Sequence, residues 1–255
     1  MTEAEAPSGL PRRARLALAV QRAVCFALSP LTTLAALVIL RIWLRLHFAN
    51  TRELRRTYRS FRRAGDVPLL VCGNHLTMID SALIAYALGS PFWYMLHFAS
   101  LPWNVPDRNV FAAKPWQRAL TYAYKCLPIE RGGSRVEVAD TIARFTHLLR
   151  RGEVGLIFPE GGRSRTGRIE VENAAYGVGR IVKSVPGCRV LCVYLRGDAQ
   201  REYSGVPVRG DTLRARIAWL EPKSDLRGLR GSRDISRQIL ARLAELEREH
   251  FDAVA

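Results

Sequence analysis

The chain has 255 residues, 48% of them hydrophobic and 24% charged, a composition that excludes a disordered or collagen-like protein and suits one large domain or two small ones. Its 39 Lys+Arg outnumber 23 Asp+Glu, so the net charge is +16 and the pI lies near 10.5, which calls for a polyanionic partner, either nucleic acid or an anionic membrane surface. The five cysteines (Cys25, Cys72, Cys126, Cys188 and Cys192) form neither a Cys-x-x-Cys pair nor a dense framework, which argues against a disulfide scaffold or zinc ribbon and for a reducing compartment.

From Ala23 to Leu40, 18 positions pass without a charge. As a helix this run spans about 27 Å, marginal against a hydrocarbon core of ~30 Å. Ser29-Pro30 inside it is expected to kink or break the helix, because proline lacks an N–H and clashes with the preceding turn. The run is too long for a signal-peptide core and no small-x-small cleavage site closes it. Arg41, Arg45, Arg52, Arg55, Arg56, Arg59, Arg62 and Arg63 follow, against the single acid Glu53. Near anionic lipid each basic residue adds about 1 kcal/mol of attraction. Three readings stay open: a kinked or paired helix lying in the interface, a single span with the main body on the cytoplasmic side, or an ordinary core helix. Some of the arginines fit a solvated helix face equally well.

Beyond residue 65, short apolar runs alternate with amphipathic segments, the pattern of an α/β domain. Pro68 to Gly73 reads as a buried strand, and Asp80 to Leu88 as a helix opening on its aspartate. Between them, Gly73-Asn74-His75-Leu76-Thr77-Met78-Ile79-Asp80-Ser81 sets His75 and Asp80 five residues apart. Mid-helix, such a spacing diverges by about 500° of rotation. The two side chains meet if His75 sits in the turn and Asp80 in the first helical turn. Asp80 can then fix one imidazole nitrogen and leave the other as a general base, a step worth ~10²–10⁴ in rate. Alone, such a pair is more often structural.

Phe92 to Trp103 is crowded with aromatics, which suits core packing, an acyl-chain tunnel wall or a loop dipping into lipid. Lys114 follows Ala113 as a lone cation, and Cys126 to Gly133 is an apolar stretch ending in Arg131 and glycines. Val136 to Arg150 carries Val138, Ile142, Phe145 and Leu149 at helical spacing, and Val154 to Phe158 is a second buried strand. Phe158-Pro159-Glu160-Gly161-Gly162-Arg163-Ser164-Arg165 follows that strand, where α/β sheets gather ligands: the glycines let backbone approach, and Arg163 or Arg165 can grip a phosphate. Read alone, it is equally a solvated turn with a carboxylate–arginine pair. Arg189 to Leu195 and Leu213 to Leu220 read as further strands, and Ser232 as the cap of a last helix bearing Ile235, Ile239, Leu243 and Leu246.

Taken together, Asn74-His75 to Asp80-Ser81, Ala113-Lys114, Ile129-Glu130-Arg131-Gly132 and Phe158 to Ser164 resemble, in order and spacing, the lysophospholipid (1-acyl-glycerol-3-phosphate) acyltransferase family, over about residues 68 to 197. The resemblance implies an α/β fold: a single acyltransferase domain with a mixed central sheet flanked by helices, at residues 64–255, behind an N-terminal apolar helical membrane-binding segment at 1–63. It implies transfer of a fatty acyl group from acyl-CoA or acyl-carrier protein to a lysolipid hydroxyl in phospholipid biosynthesis, at the cytoplasmic face of the cell membrane. His75 would be the general base and Asp80 its orienting partner. Arg131, Glu160, Gly161 and Arg163 would bind the acceptor, with Lys114 assisting. Neither a metal nor any other cofactor is implied, nor an acyl-enzyme, and the partners would be lysolipid, acyl donor and an anionic membrane, not nucleic acid.

Two positions depart from the family pattern. Gly162 stands where the family usually has Thr, and Cys192 in Leu191-Cys192-Val193 replaces a Pro. Both are expected at or near the acceptor and acyl pockets, leaving another lysolipid or an amino-lipid open as acceptor. The sequence holds no Gly-x-Ser-x-Gly elbow, no P-loop and no His-Glu-x-x-His. A non-catalytic lipid-binding protein of the same fold is the rival from another class, and the intact His75/Asp80 pair argues against it.

Overall fold

The structure, a computed structural model, describes residues 9–63, 67–130, 132–174 and 176–253. It opens on α1 (Arg12–Leu37), which continues as a π-helical stretch over Val38–Trp43, then β1 (His47–Phe48) and α2 (Thr51–Arg63). Next come β2 (Leu69–Gly73), α3 (Asp80–Leu88), α4 (Pro91–Leu96), β3 (Trp103–Asn104), α5 (Arg108–Phe111), α6 (Pro115–Ala123) and α7 (Arg135–Arg150). The chain closes with β4 (Val154–Ile157), α8 (Tyr176–Ser184), β5 (Arg189–Gly197), β6 (Thr212–Leu220) and α9 (Gly228–Asp252).

Six strands form one sheet in the order β1-β6-β5-β2-β4-β3. All neighbours are parallel except β5 and β6, so the sheet is mixed. The central strand β2 is apolar along its whole length because both faces are covered. Leu70 and Cys72 point, with Val190, Cys192 and Tyr194, into the core under α7, α8 and α9. Leu69 and Val71 point, with Leu191, Val193 and Leu195, into the core that takes side chains of α2 and α3. Gly179 lets α8 lie against α9, since a Cβ there would meet the Ser232 carbonyl oxygen at 1.8 Å.

Three expectations shift. Pro30 does not break α1, whose hydrogen-bonded pattern runs on to Leu37. The helix is gripped on both sides of the proline: Gln21 Nε2 donates to the Cys126 carbonyl (3.0 Å), and the Tyr124 hydroxyl donates to the Thr32 carbonyl (3.2 Å). Ser232 is not a cap, because α9 starts a turn earlier at Gly228 and the Ser232 hydroxyl donates back to that residue's carbonyl. Finally, the sheet and core draw on residues read as an N-terminal segment. Strand β1 pairs with β6, Leu18 belongs to one core cluster, and Leu40, Leu44, Leu46, Leu54 and Tyr58 belong to the other.

The eight arginines after the apolar run divide. Arg55 donates to the Tyr86 carbonyl, Arg62 to Ser100 and to the Gly152 carbonyl, and Arg59 lies over the Trp93 ring, so these three brace the domain. Arg45, Arg52, Arg56 and Arg63 are exposed; Arg41 is also exposed but donates to the Leu46 carbonyl. All five cysteines are buried and free.

Candidate active site

Strands β2, β4 and β5 end on the same edge of the sheet, and the loops leaving β2 and β4 carry the candidate residues. After Gly73 the chain turns sharply. Asn74 holds this turn against β5, donating to the Leu195 carbonyl (3.0 Å) and accepting from its N–H (2.7 Å). His75 thus sits in the turn, and Asp80 is the first residue of α3.

His75 Nδ1 lies 2.9 Å from Asp80 Oδ2. That carboxylate also accepts from the backbone N–H of Leu76 (2.6 Å) and Thr77 (2.7 Å), while its other oxygen accepts from the Thr77 hydroxyl (2.5 Å). Four donors on one buried carboxylate hold its position. A carboxylate only accepts, so Nδ1 carries the proton and Nε2 offers its lone pair. The Phe158 ring stacks on the imidazole at 4.0 Å between centroids and 10° between planes, covering one face. With Nδ1 engaged and that face covered, Nε2 is the ring atom left for a substrate proton.

The loop after β4 closes over the same turn. Ser164 N–H donates to the His75 carbonyl (3.1 Å), and Glu160 Oε1 accepts from the His75 N–H (3.3 Å). Burial pushes the Glu160 carboxyl up to about 7; the His75 N–H opposes this, and the charges of Glu247, Glu170 and Asp80 add to it. Gly161, at φ 67, adopts a left-handed conformation that favours glycine, and it is exposed. Arg163 Nη1 donates to the Tyr203 hydroxyl (2.6 Å), and its guanidinium lies 5.1 Å from the centre of that ring. The Tyr203 loop is tied to the His75 turn by Ser204 N–H to the Leu76 carbonyl (3.1 Å) and Met78 N–H to the Gly205 carbonyl (3.0 Å).

Such an arrangement can take a proton from a hydroxyl at Nε2, and the loop that touches this turn carries a half-buried cation, Arg163. The Acyltransferase family model matches residues 45–196, more than half of the chain. The chain belongs to the acyltransferase family, within the glycerolipid acyltransferase superfamily. Acyl transfer in lipid biosynthesis is therefore its general activity. A search of the curated proteins finds no match.

The structure brings His75, Asp80, Glu160, Gly161 and Arg163 of this acyltransferase into two touching loops. Lys114 is exposed at the start of α6, where its N–H donates to Gln117 (2.8 Å), and among the described residues it makes no hydrogen bond or ion pair with the cluster. Arg131 lies outside the described residues. Of the two departures from the family pattern, Gly162 flanks the site as expected, and a Cβ there meets nothing within 4 Å, so the missing side chain leaves open space. Cys192 does not: it is fully buried in the core, its thiol turned toward the Ile239 carbonyl of α9. The alternation of side chains along β5 puts it on that face.

Sequence reasoning missed Asn74 as a clamp, Thr77 as a second support for Asp80, Phe158 as the stacking partner and Tyr203 altogether. The first three lie inside the quoted motifs, where their positions were the available signal. Tyr203 lies in the loop between β5 and β6 with no pattern to mark it.

Proposed function

We propose that this acyltransferase moves a fatty acyl group from the thioester of acyl-CoA or acyl-carrier protein to the hydroxyl of a lysophospholipid, 1-acyl-glycerol-3-phosphate or a close relative. The 2.9 Å contact between His75 Nδ1 and Asp80 Oδ2 carries this reading. Nε2 removes the acceptor hydroxyl's proton as the oxygen attacks the thioester carbonyl, and the imidazolium formed is stabilised by Asp80. The tetrahedral intermediate collapses by breaking the C–S bond, and the thiolate takes up the proton. Arg163, steered by Tyr203, pairs with the acceptor phosphate, and Glu160 and Gly161 shape the space beside it.

The enzyme would work with α1 lying in the interface at the cytoplasmic face of the membrane. One flank of α1, with Leu18, Gln21, Cys25 and Ser29, is buried against the domain. The other exposes Leu16, Leu31 and Leu34, and Ile42 and Trp43 of the π-helical stretch that continues it are exposed as well. Phe92 and Leu96 of α4 and Trp116 of α6 are also exposed, and both helices pack on α1. A helix docked sideways by buried polar bonds, with an apolar outer stripe and arginines at hand, suits an interfacial position better than a span.

Thiol release from acyl-CoA is the direct test. It should appear with lysolipid, be absent without it, and yield a diacyl product by mass spectrometry. Lipid binding without thiol release from any acyl donor would instead make the protein a binder.

A further inference from the structure

A cleft of about 800 Å³ lies among the first turns of α1, the exposed side of α7 and the end of α8. Helices α7 and α8 each lead directly into the amino end of a sheet strand, β4 and β5, whereas His75 and Glu160 follow the carboxyl ends of theirs. The cleft therefore sits toward the opposite end of the sheet from the catalytic loops and shares no residue with them.

Its charged lining is one-sided. Arg15, Arg150 and Arg180 face it, with the imidazole of His147, against one carboxylate, Asp140, which is already paired with Arg144 (2.8 Å). Arg150 is held in place by donating to the Ser184 carbonyl. Burial, reinforced by Arg151, Arg15 and Arg150, holds His147 below its usual pKa, so the imidazole stays neutral beside these cations. Thr146 also lines the cleft, with its hydroxyl buried beneath the surface. Gathered guanidinium groups repel one another, and one anionic group with several oxygens relieves that repulsion.

We infer that this cleft binds a phosphate group, at a site separate from the acyl-transfer centre. Three arginines supply charge-assisted donors. The volume far exceeds that of a bare phosphate, and Leu10 and Ile142 give the wall an apolar part, which suits a phosphate carrying an apolar body. Leu16, the first exposed apolar residue of α1, follows Arg15 directly, so a lipid headgroup lies within reach when α1 meets a membrane.

Calorimetric titration of the full chain with inorganic phosphate, and separately with a monomeric short-chain phosphatidic acid, tests the site. Both are run in an Arg163→Ala background so that the acceptor site does not contribute. Removing one arginine, Arg15→Ala or Arg180→Ala, should weaken binding about tenfold or more. Thr146→Val, which keeps the shape and removes a hydroxyl closed off from the cleft, should leave it unchanged. Saturation should raise the His147 pKa, followed by NMR, in the parent and not in the Arg180→Ala protein. Binding of phosphate alone with this pattern identifies a soluble phosphate ligand, and binding of only the lipid identifies a headgroup; either supports the site. No binding of either probe, or equal affinity in the parent, Arg15→Ala and Arg180→Ala proteins, overturns it.

Discussion

Glu160 accepts the backbone N–H of His75 on one carboxylate oxygen, 3.3 Å away, and so joins the two motifs that sequence places 85 residues apart. The carboxyl is held at about 7, chiefly by burial. A carboxyl whose folded pKa exceeds its ordinary 4.5 favours folding while protonated. That contribution is whole below about 4.5 and is lost as pH rises through about 7. Glu160→Gln should therefore match the parent near pH 5 and be the more stable protein near pH 8, by at most about 3 kcal/mol. Urea midpoints at the two pH values check this, and equal stability at both would contradict the burial argument.

His75→Ala and Asp80→Ala should separate chemistry from folding. Loss of the imidazole should lower kcat by ~10²–10⁴ with little change in melting temperature. Loss of the carboxylate should lower kcat comparably, and it also orphans the donors of Leu76 and Thr77, at a stability cost of about 3 kcal/mol. Paired kinetic and thermal measurements decide, and a folded His75→Ala protein with the parent rate would remove the base.

Arg163→Ala should raise KM for the lysolipid and leave KM for the acyl donor unchanged. Tyr203→Phe keeps the ring under the guanidinium but removes the hydroxyl acceptor, so it should raise the same KM by a smaller factor, about three- to tenfold. An effect confined to the donor would reassign both residues.

Exposed apolar residues of α1 and of its π-helical continuation should govern vesicle binding without governing the fold. Leu31→Ser or Ile42→Ser removes a side chain worth about 1.5–3 kcal/mol on transfer from water, so each should weaken sedimentation with anionic vesicles by about tenfold or more. Circular dichroism melts should stay where they are. Deleting residues 1–48 is expected to unfold the protein, because Leu18, Leu40, Leu44 and Leu46 are core.

Lys125, fully buried at φ 53, donates to Glu153 (2.7 Å) and to the carbonyls of Phe98 and Leu101. Glu153 also accepts from Trp103 (2.8 Å) and from Arg22 of α1 (2.6 Å). Burial pushes the Lys125 ammonium down to about 8 even with Glu153 beside it. Glu153→Ala should destabilise the protein by about 3–5 kcal/mol, because it leaves a buried cation unpaired. The double change Lys125→Met/Glu153→Leu should restore much of that loss in urea titration. A single variant as stable as the parent would show that water reaches the lysine.

Much of the fold was legible along the chain. The apolar runs of β2, β4 and β5, the alternation in β6 and the helical spacing of α7 are local patterns, and local backbone geometry alone sets their periods. The His75-to-Asp80 spacing likewise needed only a strand, a turn and a helix start. By contrast, two-residue strands such as β1 and β3 carry no periodicity, and the sheet order depends on which distant strands find each other. Arg22 and Glu153 are 131 residues apart, and Arg163 and Tyr203 are 40 apart, so no window of sequence contains either pair. Residue type and short-range spacing thus determined the elements and the His75–Asp80 pair. Long-range packing alone decided that Cys192 is core, that α1 passes through Pro30 to dock on the domain, and which arginines gather around the cleft at the start of α1. Burial and the partners it brings together do not exist until the chain has closed on itself.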